Sequence, residues 1–280
     1  MHEIASTING YVWSPALIYL CLGAGLIFSV LTRFVQLRMF REMIHLLFSS
    51  KESEKGISSF QALAVSLSGR VGTGNIAGVA AAIGFGGPGA VFWMWVVAFL
   101  GASTAYVEAA LGQIYKEEDE GQYRGGPAFY IEKAMGQKWY AWLFAITTIF
   151  ATGLLLPTVQ ANAISTSAEI ALGTNGMIDT FFGEVSMTKL IGATLVVTVF
   201  GFIIFGGVKR IAHVTQVVVP FMALAYIVTA CVIVALNVEK LPGIFAHIFS
   251  DAFTPMAGFG AAIGWGVKRG VYSNEAGQGT

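Results

Sequence analysis

The sequence predicts an all-α polytopic membrane protein, and three observations carry that prediction. The 280 residues are 55% hydrophobic and only 11% charged, whereas soluble domains carry about 25% charged residues. The mean hydropathy is +0.70. The apolar residues gather into segments of about 20 residues, the length that crosses a bilayer as a helix. The formal net charge is zero, which argues against nucleic acid as a partner.

Seven apolar segments have spanning length. Between the second and third, the glycine-rich GFGGPG at 84–89 predicts a tight turn. In chain order, the seven segments cover residues 13–32, 58–84, 89–114, 139–170, 188–207, 212–237 and 254–280.

Basic residues alternate between the segments that connect these spans. One set of connections carries eleven Lys and Arg residues, and the other set, which includes residues 1–12, carries two. The positive-inside rule therefore places the N-terminus outside the cell. The eleven are Arg33, Arg38, Arg41, Lys51, Lys55, Lys116, Arg124, Lys133, Lys138, Lys209 and Arg210, and the two are Lys189 and Lys240.

The first 57 residues form a unit of their own, a first transmembrane helix followed by a basic, amphipathic stretch. Apolar residues recur at helical spacing from Phe34 to Leu47. This pattern predicts a helix that lies on the inner membrane surface.

The second span is interrupted by polar residues at its centre. The string SLSGRVGTGNIAG at 66–78 holds an arginine, an asparagine, three hydroxyls and four glycines. Because lipid does not tolerate unpaired polar backbone, this stretch is expected to line a cavity inside the protein. A glycine-broken helix at mid-depth is the usual construction of a transporter's substrate site. Tight packing through small residues is the alternative, but it does not explain Arg70 or Asn75.

The break offers two kinds of ligand group. A half-helix that begins at Asn75 would present free N–H groups and a positive dipole end, which suit a carboxylate. Carbonyl groups and the hydroxyls of Ser66, Ser68 or Thr73 could coordinate a hard cation such as sodium.

Three further polar residues lie inside predicted spans. Glu108, in the third span, could pair with Arg70 as a gate or as a structural ion pair, and the sequence leaves both roles open. Gln160 and Asn162, in the fourth span, are expected to face the bundle, either as substrate contacts or as interhelical hydrogen-bond partners.

The seventh segment contains a second polar interruption, at Ser273-Asn274-Glu275. It enters the membrane from the opposite side to the second span. Two broken segments of opposite direction, five spans apart, are what an inverted five-helix repeat produces. If the break lies at mid-depth, Lys268 and Arg269 lie toward the outer vestibule; if the segment crosses unbroken, they lie inside.

These motifs resemble the alanine-or-glycine:cation symporter family over most of residues 58–280. At 157–158 the chain has Pro-Thr where the family pattern has Gly-Asn. The matching strings are SGRVGTGNIAGVAAAI (68–83), GPGAVFWMW (87–95), YVEAALGQIYK (106–116), RGGPAFYIEKAMG (124–136), VQAN (159–162) and GVKRGVYSNEAGQG (266–279).

The resemblance implies a LeuT-like inverted-repeat bundle, of which this chain holds the N-terminal part. Residues 1–57 would be peripheral, 58–238 the first five-helix repeat and 239–280 the truncated start of the second. The chain is therefore expected to be a fragment of a longer protein that does not transport alone.

The resemblance also implies the activity, which is sodium-coupled uptake of alanine or glycine across the cell membrane by alternating access. Sodium would be the coupling ion, with no other cofactor. A proton-coupled or broader-range carrier of the same fold is the alternative. The implied substrate-binding residues are Gly72, Thr73, Gly74, Asn75, Gln160, Asn274, Glu275 and Gly277, and the implied ion-binding residues are Ser68, Thr73 and Asn75.

Two other classes of protein fit the sequence poorly. An intramembrane enzyme needs a catalytic constellation at one depth, but Asp119, Asp179 and Asp251 fall in predicted connections and no span pairs a His with a Ser. A channel usually shows a repeated pore-lining pattern rather than two helix breaks of opposite direction.

Overall fold

The computed structural model is mainly helical and describes residues 2–48, 56–119, 121–181, 183–253 and 258–279. Lys51 and Lys55, which contribute to the predicted basic side, lie outside the described residues. The first four residues of the predicted seventh segment, 254–257, also lie outside them.

The N-terminal unit is a bent helical pair followed by two short helices. Pro15 lies in the first turn of the second helix, where its missing N–H costs nothing. The side chains of the fourth helix are largely exposed, with Phe40 58% and Leu46 54% accessible. The bounds are α1 His2–Val12, α2 Pro15–Leu31, α3 Val35–Arg38 and α4 Phe40–Phe48.

The second predicted span is divided into two short helices, α5 (Ser59–Arg70) and α6 (Val79–Gly86), joined through a π-helical turn at Gly74–Gly78. A capping box starts α5: Gln61 N–H donates to Ser58 Oγ at 3.2 Å, and Ser58 N–H donates to Gln61 Oε1 at 3.0 Å, which satisfies two amides at the helix start. The interruption predicted from the sequence is therefore present.

The third predicted span is one continuous helix, α7 (Gly89–Ile114). The turn before it depends on Gly87, whose φ is +80°, a conformation that glycine adopts without strain.

The middle of the chain alternates long apolar helices with small polar hairpins. Within the long fourth span, a π-helical turn at Ala151–Leu155 connects two helices. In order, the elements are β1 Glu117–Asp119, β2 Gln122–Arg124, α8 Pro127–Met135, α9 Lys138–Phe150, α10 Leu156–Leu172, β3 Met177–Thr180, β4 Gly183–Ser186, α11 Met187–Ile204 and α12 Gly207–Leu236. Both hairpins are antiparallel.

The connection before the last helix is itself folded, contrary to expectation. After a 3₁₀ turn at Val238–Lys240 comes α13 (Leu241–Ala252), and then α14 (Gly258–Asn274). Asp251 therefore lies on a helix and not in a loop, and Gly89 N–H donates to its Oδ2 at 2.8 Å. The carboxylate caps the N-terminus of α7, where negative charge is favourable. Asp119 and Asp179 lie in the hairpin strands β1 and β3.

The helices that surround the two polar interruptions pack against one another. α14 lies along α7 and α6, α2 packs on α7, and α12 packs on α5. The buried core between α2, α7 and α14 contains Ile18, Val97 and Val267. Small side chains allow the close approach, since a Cβ at Gly266 would lie 2.5 Å from the carbonyl oxygen of Ala90.

Within the described ranges, five helices are long and apolar enough to cross a membrane. They are Thr7–Leu31, Gly89–Ile114, Lys138–Leu172, Met187–Ile204 and Gly207–Leu236. Many of their apolar side chains face outward, such as Val197 at 70% and Phe221 at 75% exposed. An apolar exterior of this kind fits lipid rather than water, so the chain is a multi-pass membrane protein. The other two predicted spans correspond to α5 with α6 and to the 17-residue α14.

Candidate functional site

The first helix break lies at Val71–Gly72. α5 ends at Arg70, and Val71 is extended, with φ −110° and ψ 96°. The helix resumes at Thr73, two residues before the predicted start at Asn75, and continues as the π-helical turn. Single π-helical turns inside helices are frequent at functional sites.

Gln160, on α10, stabilises this break from the side. Its Oε1 accepts a hydrogen bond from Thr73 N–H at 3.2 Å and another from Thr73 Oγ1 at 2.5 Å. A Cβ at Gly72 would lie 3.0 Å from Gln160 Nε2, so the absence of a side chain at Gly72 lets the amide approach. The predicted contribution of Gln160 to the wall of a substrate site stays a prediction.

Asn75 connects the first break to α14. Its side-chain Oδ1 accepts hydrogen bonds from Arg269 Nη2 at 3.0 Å and from Ser273 Oγ at 2.5 Å. Arg269 Nη2 also donates to Ser273 Oγ at 3.0 Å. These three side chains form a closed polar network between two interrupted segments that are almost 200 residues apart in sequence.

The Arg269 guanidinium fits over the glycines of the π-helical turn. Cβ atoms at Gly74 and Gly78 would each lie 2.5 Å from a guanidinium nitrogen. On its other side, the group lies 4.6 Å from the ring centre of Tyr272, within cation–π range. The glycines therefore provide the space that Arg269 occupies.

The second break begins where α14 ends, at Asn274. Glu275 takes a left-handed conformation, with φ +54°, which is uncommon for a residue with a side chain. The following backbone is held by Glu108 of α7: Gly277 N–H donates to its Oε2 at 2.7 Å, and Gly279 N–H donates to its Oε1. The placement of Lys268 and Arg269 relative to the membrane stays a prediction.

Tyr130, on α8, adds a neutral group near this carboxylate. Burial, with a smaller contribution from the negative charge of Glu108, raises the pKa of the Tyr130 phenol to about 12. Tyr130 therefore stays protonated at physiological pH and can act as a hydrogen-bond donor.

Arg70 and Glu108 bind the same unwound segment at two points. Arg70 Nε donates to the carbonyl oxygen of Asn274 at 3.0 Å, and Arg70 Nη1 donates to Ser66 Oγ at 2.7 Å. The predicted direct pair between Arg70 and Glu108 stays a prediction. What the structure adds is that the two charges hold opposite ends of the second break, with Arg70 on a carbonyl and Glu108 on amides.

Asn274 and Glu275 lie against neighbouring glycines. A Cβ at Gly101 of α7 would overlap the side-chain amide of Asn274, and a Cβ at Gly69 would lie 3.1 Å from Glu275 Oε2. Among the described residues, that carboxylate oxygen is buried without a hydrogen-bond partner.

A cavity of about 450 Å³ opens between α6, α7 and α14, within the range of small-molecule sites. Both breaks contribute to it, since its lining includes Arg70, Asn75, Met94, Trp95, Ser273 and Asn274.

The predicted site residues fall into three groups. At the first break, Gln160 contacts Gly72 and Thr73. Asn75 accepts hydrogen bonds from α14, and Gly277 N–H donates to Glu108. Ser68 Oγ donates to the carbonyl of Val65 within its own helix at 2.6 Å. Sequence reasoning missed Arg269 and Ser273, although their spacing of four matches the spacing of Gly74 and Gly78.

The described residues hold no group of three or more His, Cys, Asp or Glu side chains that could bind a metal ion.

Comparison with known proteins gives several clear relatives. YrbD of Bacillus subtilis is 52% identical over 284 residues, which cover 100% of this chain and 56% of that protein. The sodium/proton-dependent alanine carrier protein of Bacillus sp. strain PS3 is 45% identical over 85% of this chain and 51% of its own length. The sodium/alanine symporter AgcS of Methanococcus maripaludis is 40% identical over 99% of this chain and 61% of its own length.

The chain therefore spans about half to three fifths of the length of these relatives. The family match itself covers residues 1–280. The chain therefore belongs to the sodium:alanine symporter family.

Proposed function

We propose that this protein carries out sodium-coupled uptake of small neutral amino acids, alanine or glycine. The observation that carries the proposal is the meeting of two broken segments at Asn75, Arg269 and Ser273. Interrupted helices leave polar backbone available at membrane depth, which is tolerated only where it lines a protein cavity. Relatives that are named for alanine and sodium support the same substrate and ion.

The amino acid's carboxylate is proposed to bind at Gly72, Thr73, Gly74 and Asn75. Glycines let a ligand approach the backbone closely, and the start of the resumed helix favours negative charge. Gln160 forms one wall through its contacts with Thr73. On the α14 side, Asn274, Glu275 and Gly277 face the substrate from the second break.

Sodium is proposed to bind at oxygen atoms of Ser68, Thr73 and Asn75. Hydroxyl and amide oxygens are ligands that hard cations prefer. Ser68 Oγ donates its hydrogen to Val65 and keeps its lone pairs available to an ion.

The proposed architecture is the LeuT-like inverted repeat. Residues 58–238 would form the first repeat, 239–280 the start of the second, and 1–57 a peripheral unit, with the N-terminus outside the cell membrane. Transport then proceeds by alternating access, in which the two repeats rock about the site. The end of α14 at Asn274 supports this proposal, because an inverted repeat requires a second interrupted helix.

The test is uptake of labelled alanine by the full-length gene product in proteoliposomes, at fixed pH, with sodium or choline outside. We expect alanine uptake when sodium is outside and none when choline replaces it. We expect Asn75→Ala to abolish the sodium-dependent uptake. Asn237→Ala is the matched control, since Asn237 bonds only near the end of α12. Absence of uptake of any small amino acid by the wild type would overturn the proposal.

A proton-coupled or broader-range carrier of the same fold is the second candidate. The carrier of Bacillus sp. strain PS3 is named for protons as well as sodium, and Glu108 and Glu275 lie at the second break. Uptake that follows an imposed proton gradient in choline, and that is lost in Glu108→Gln or Glu275→Gln, would favour this candidate over sodium coupling.

A further inference from the structure

The side-chain oxygen of Asn75 is already occupied by a cation that belongs to the protein. Asn75 Oδ1 accepts one hydrogen bond from the Arg269 guanidinium and one from Ser273. An amide oxygen has two lone pairs, so both are engaged. While these contacts persist, Asn75 Oδ1 cannot also bind a sodium ion.

Arg269 contacts only neutral groups among the described residues. Its hydrogen-bond partners are Asn75 and Ser273, its third contact is the Tyr272 ring, and its Nε is buried without a partner. A guanidinium in a membrane segment normally pairs with an anion or reaches water, because its burial there is costly. Within the part of the chain that the structure describes, no carboxylate therefore balances the charge of this arginine.

Two glycines provide the space that the guanidinium occupies. It lies over Gly74 and Gly78, next to the cavity that Asn75 and Ser273 line. The side chain is flexible, so the head group can leave Asn75 without a rearrangement of α14. The nearest proposed anion is the amino-acid carboxylate at residues 72–75.

We propose that Arg269 is a tethered competitor of the coupling ion at Asn75. In the sodium-free state its guanidinium holds Asn75 Oδ1; sodium displaces it, and the released guanidinium pairs with the carboxylate of the amino acid. This inference rests on the proposed function and adds the residue that links ion binding to substrate binding.

The inference gives a physical origin for coupling. Sodium that binds Asn75 releases the Arg269 guanidinium, which can then bind the substrate carboxylate. A substrate that binds Arg269 in turn leaves Asn75 Oδ1 free to bind sodium. Each ligand therefore increases the affinity for the other by the same factor, as linkage requires.

Arg269→Gln tests this directly, because it removes the competitor and the carboxylate partner together. In proteoliposomes, we expect the half-saturating sodium concentration to fall about threefold or more and the alanine KM to rise about tenfold. The alanine KM should also lose its dependence on sodium. A structural role alone would weaken both ligands. Lys268→Gln is the matched control, since it removes the neighbouring charge, which lies over Trp265.

Gly78→Ala displaces the Arg269 guanidinium without removing its charge. A Cβ there would lie 2.5 Å from Arg269 Nη1 and would push the guanidinium away from Asn75. We expect the half-saturating sodium concentration to fall as in Arg269→Gln, while the alanine KM stays the same or decreases. Gly84→Ala is the control on the same helix, because a Cβ at Gly84 meets nothing within 4 Å.

The outcomes separate this inference from the proposed function. Sodium-dependent uptake by the wild type, with unchanged or weaker sodium binding in both Arg269→Gln and Gly78→Ala, would overturn the inference alone. If Arg269→Gln fails to fold, the half-saturating sodium concentration of Gly78→Ala decides whether the inference holds. Absence of sodium-dependent uptake by the wild type would overturn both.

Discussion

The two helix breaks are held in chemically different ways. At the first break, the contacts to Thr73 come from Gln160, which is a neutral amide. At the second break, the backbone is held by full charges, with Arg70 on the carbonyl of Asn274 and Glu108 on the amides of Gly277 and Gly279.

This difference assigns different tasks to the two breaks. Hydrogen bonds to charged groups are worth roughly twice as much as neutral ones, so the second break is a fixed anchor on α7. The neutral contacts between Gln160 and Thr73 at the first break can be exchanged for an ion or a ligand at lower cost. We therefore expect substitutions at the second break to affect stability and substitutions at the first to affect ligand affinity.

Glu108→Ala should have the largest effect on stability. It removes the acceptor for two backbone amides, a loss of about 3 kcal/mol, which corresponds to a decrease in Tm of roughly 6–12 °C. Thermal unfolding in detergent micelles measures this. Glu239→Ala, at an exposed residue, should leave the Tm unchanged. Equal Tm values for the two variants would contradict the anchoring role of Glu108.

Gly101→Ala tests the packing of the second break against α7. The new Cβ would overlap the Asn274 amide, and overpacking of this kind costs about 1–3 kcal/mol. We expect the Tm to fall by about 4 °C. The control is Gly153→Ala, where a Cβ meets nothing within 4 Å; a similar decrease there would mean that the loss is not specific to Asn274.

Gln160→Leu should act on affinity at the first break. It leaves Thr73 N–H and Oγ1 without their acceptor, and we expect the alanine KM to rise about tenfold. The Tm should fall less than in Glu108→Ala, because the lost hydrogen bonds are neutral. Gln160→Glu keeps an acceptor oxygen and should rescue most of the affinity. Gln216→Leu serves as control, because the Gln216 side chain bonds to His213 of its own helix, α12. An unchanged KM in Gln160→Leu would contradict the proposed wall.

Ser68→Ala should have the smallest effect. The hydroxyl bonds to a carbonyl of its own helix, so its removal is nearly neutral for stability. If Ser68 binds the ion, the half-saturating sodium concentration rises about threefold. Ser250→Ala removes a hydroxyl that bonds in the same way on α13 and should change neither value. Identical sodium dependence in the two variants would exclude Ser68 as a ligand.

Long apolar segments were the part of the fold that sequence predicted best. The third span was predicted at 89–114, and α7 covers the same residues. α13 was missed because 12 residues are too few to span a bilayer and because its capping contact, from Asp251 to Gly89, is distant in sequence. The strands of the two hairpins have only three or four residues, which is too short for a hydrophobic pattern to mark them.

The break positions were also predictable, because an arginine and an asparagine among glycines are costly in an apolar segment unless they face a polar cavity. The side chains that contact the breaks were not predictable from the sequence. The contact of Asn75 with Arg269 depends on how α14 packs against the π-helical turn, and the sequence left the placement of Arg269 open. The matching four-residue spacings on the two segments become informative only once the segments are known to meet.

Cross-linking between Asn75 and Ser273 shows most directly whether the two breaks meet. In a full-length background without Cys21 and Cys231, Asn75→Cys with Ser273→Cys is treated with a short bifunctional methanethiosulfonate reagent and then cleaved between the two sites. We expect these fragments to stay joined. Gly84→Cys with Ser273→Cys should leave them separate, since position 84 is nine residues further along the helical path. Fragments that separate equally in both pairs would contradict the meeting of the breaks.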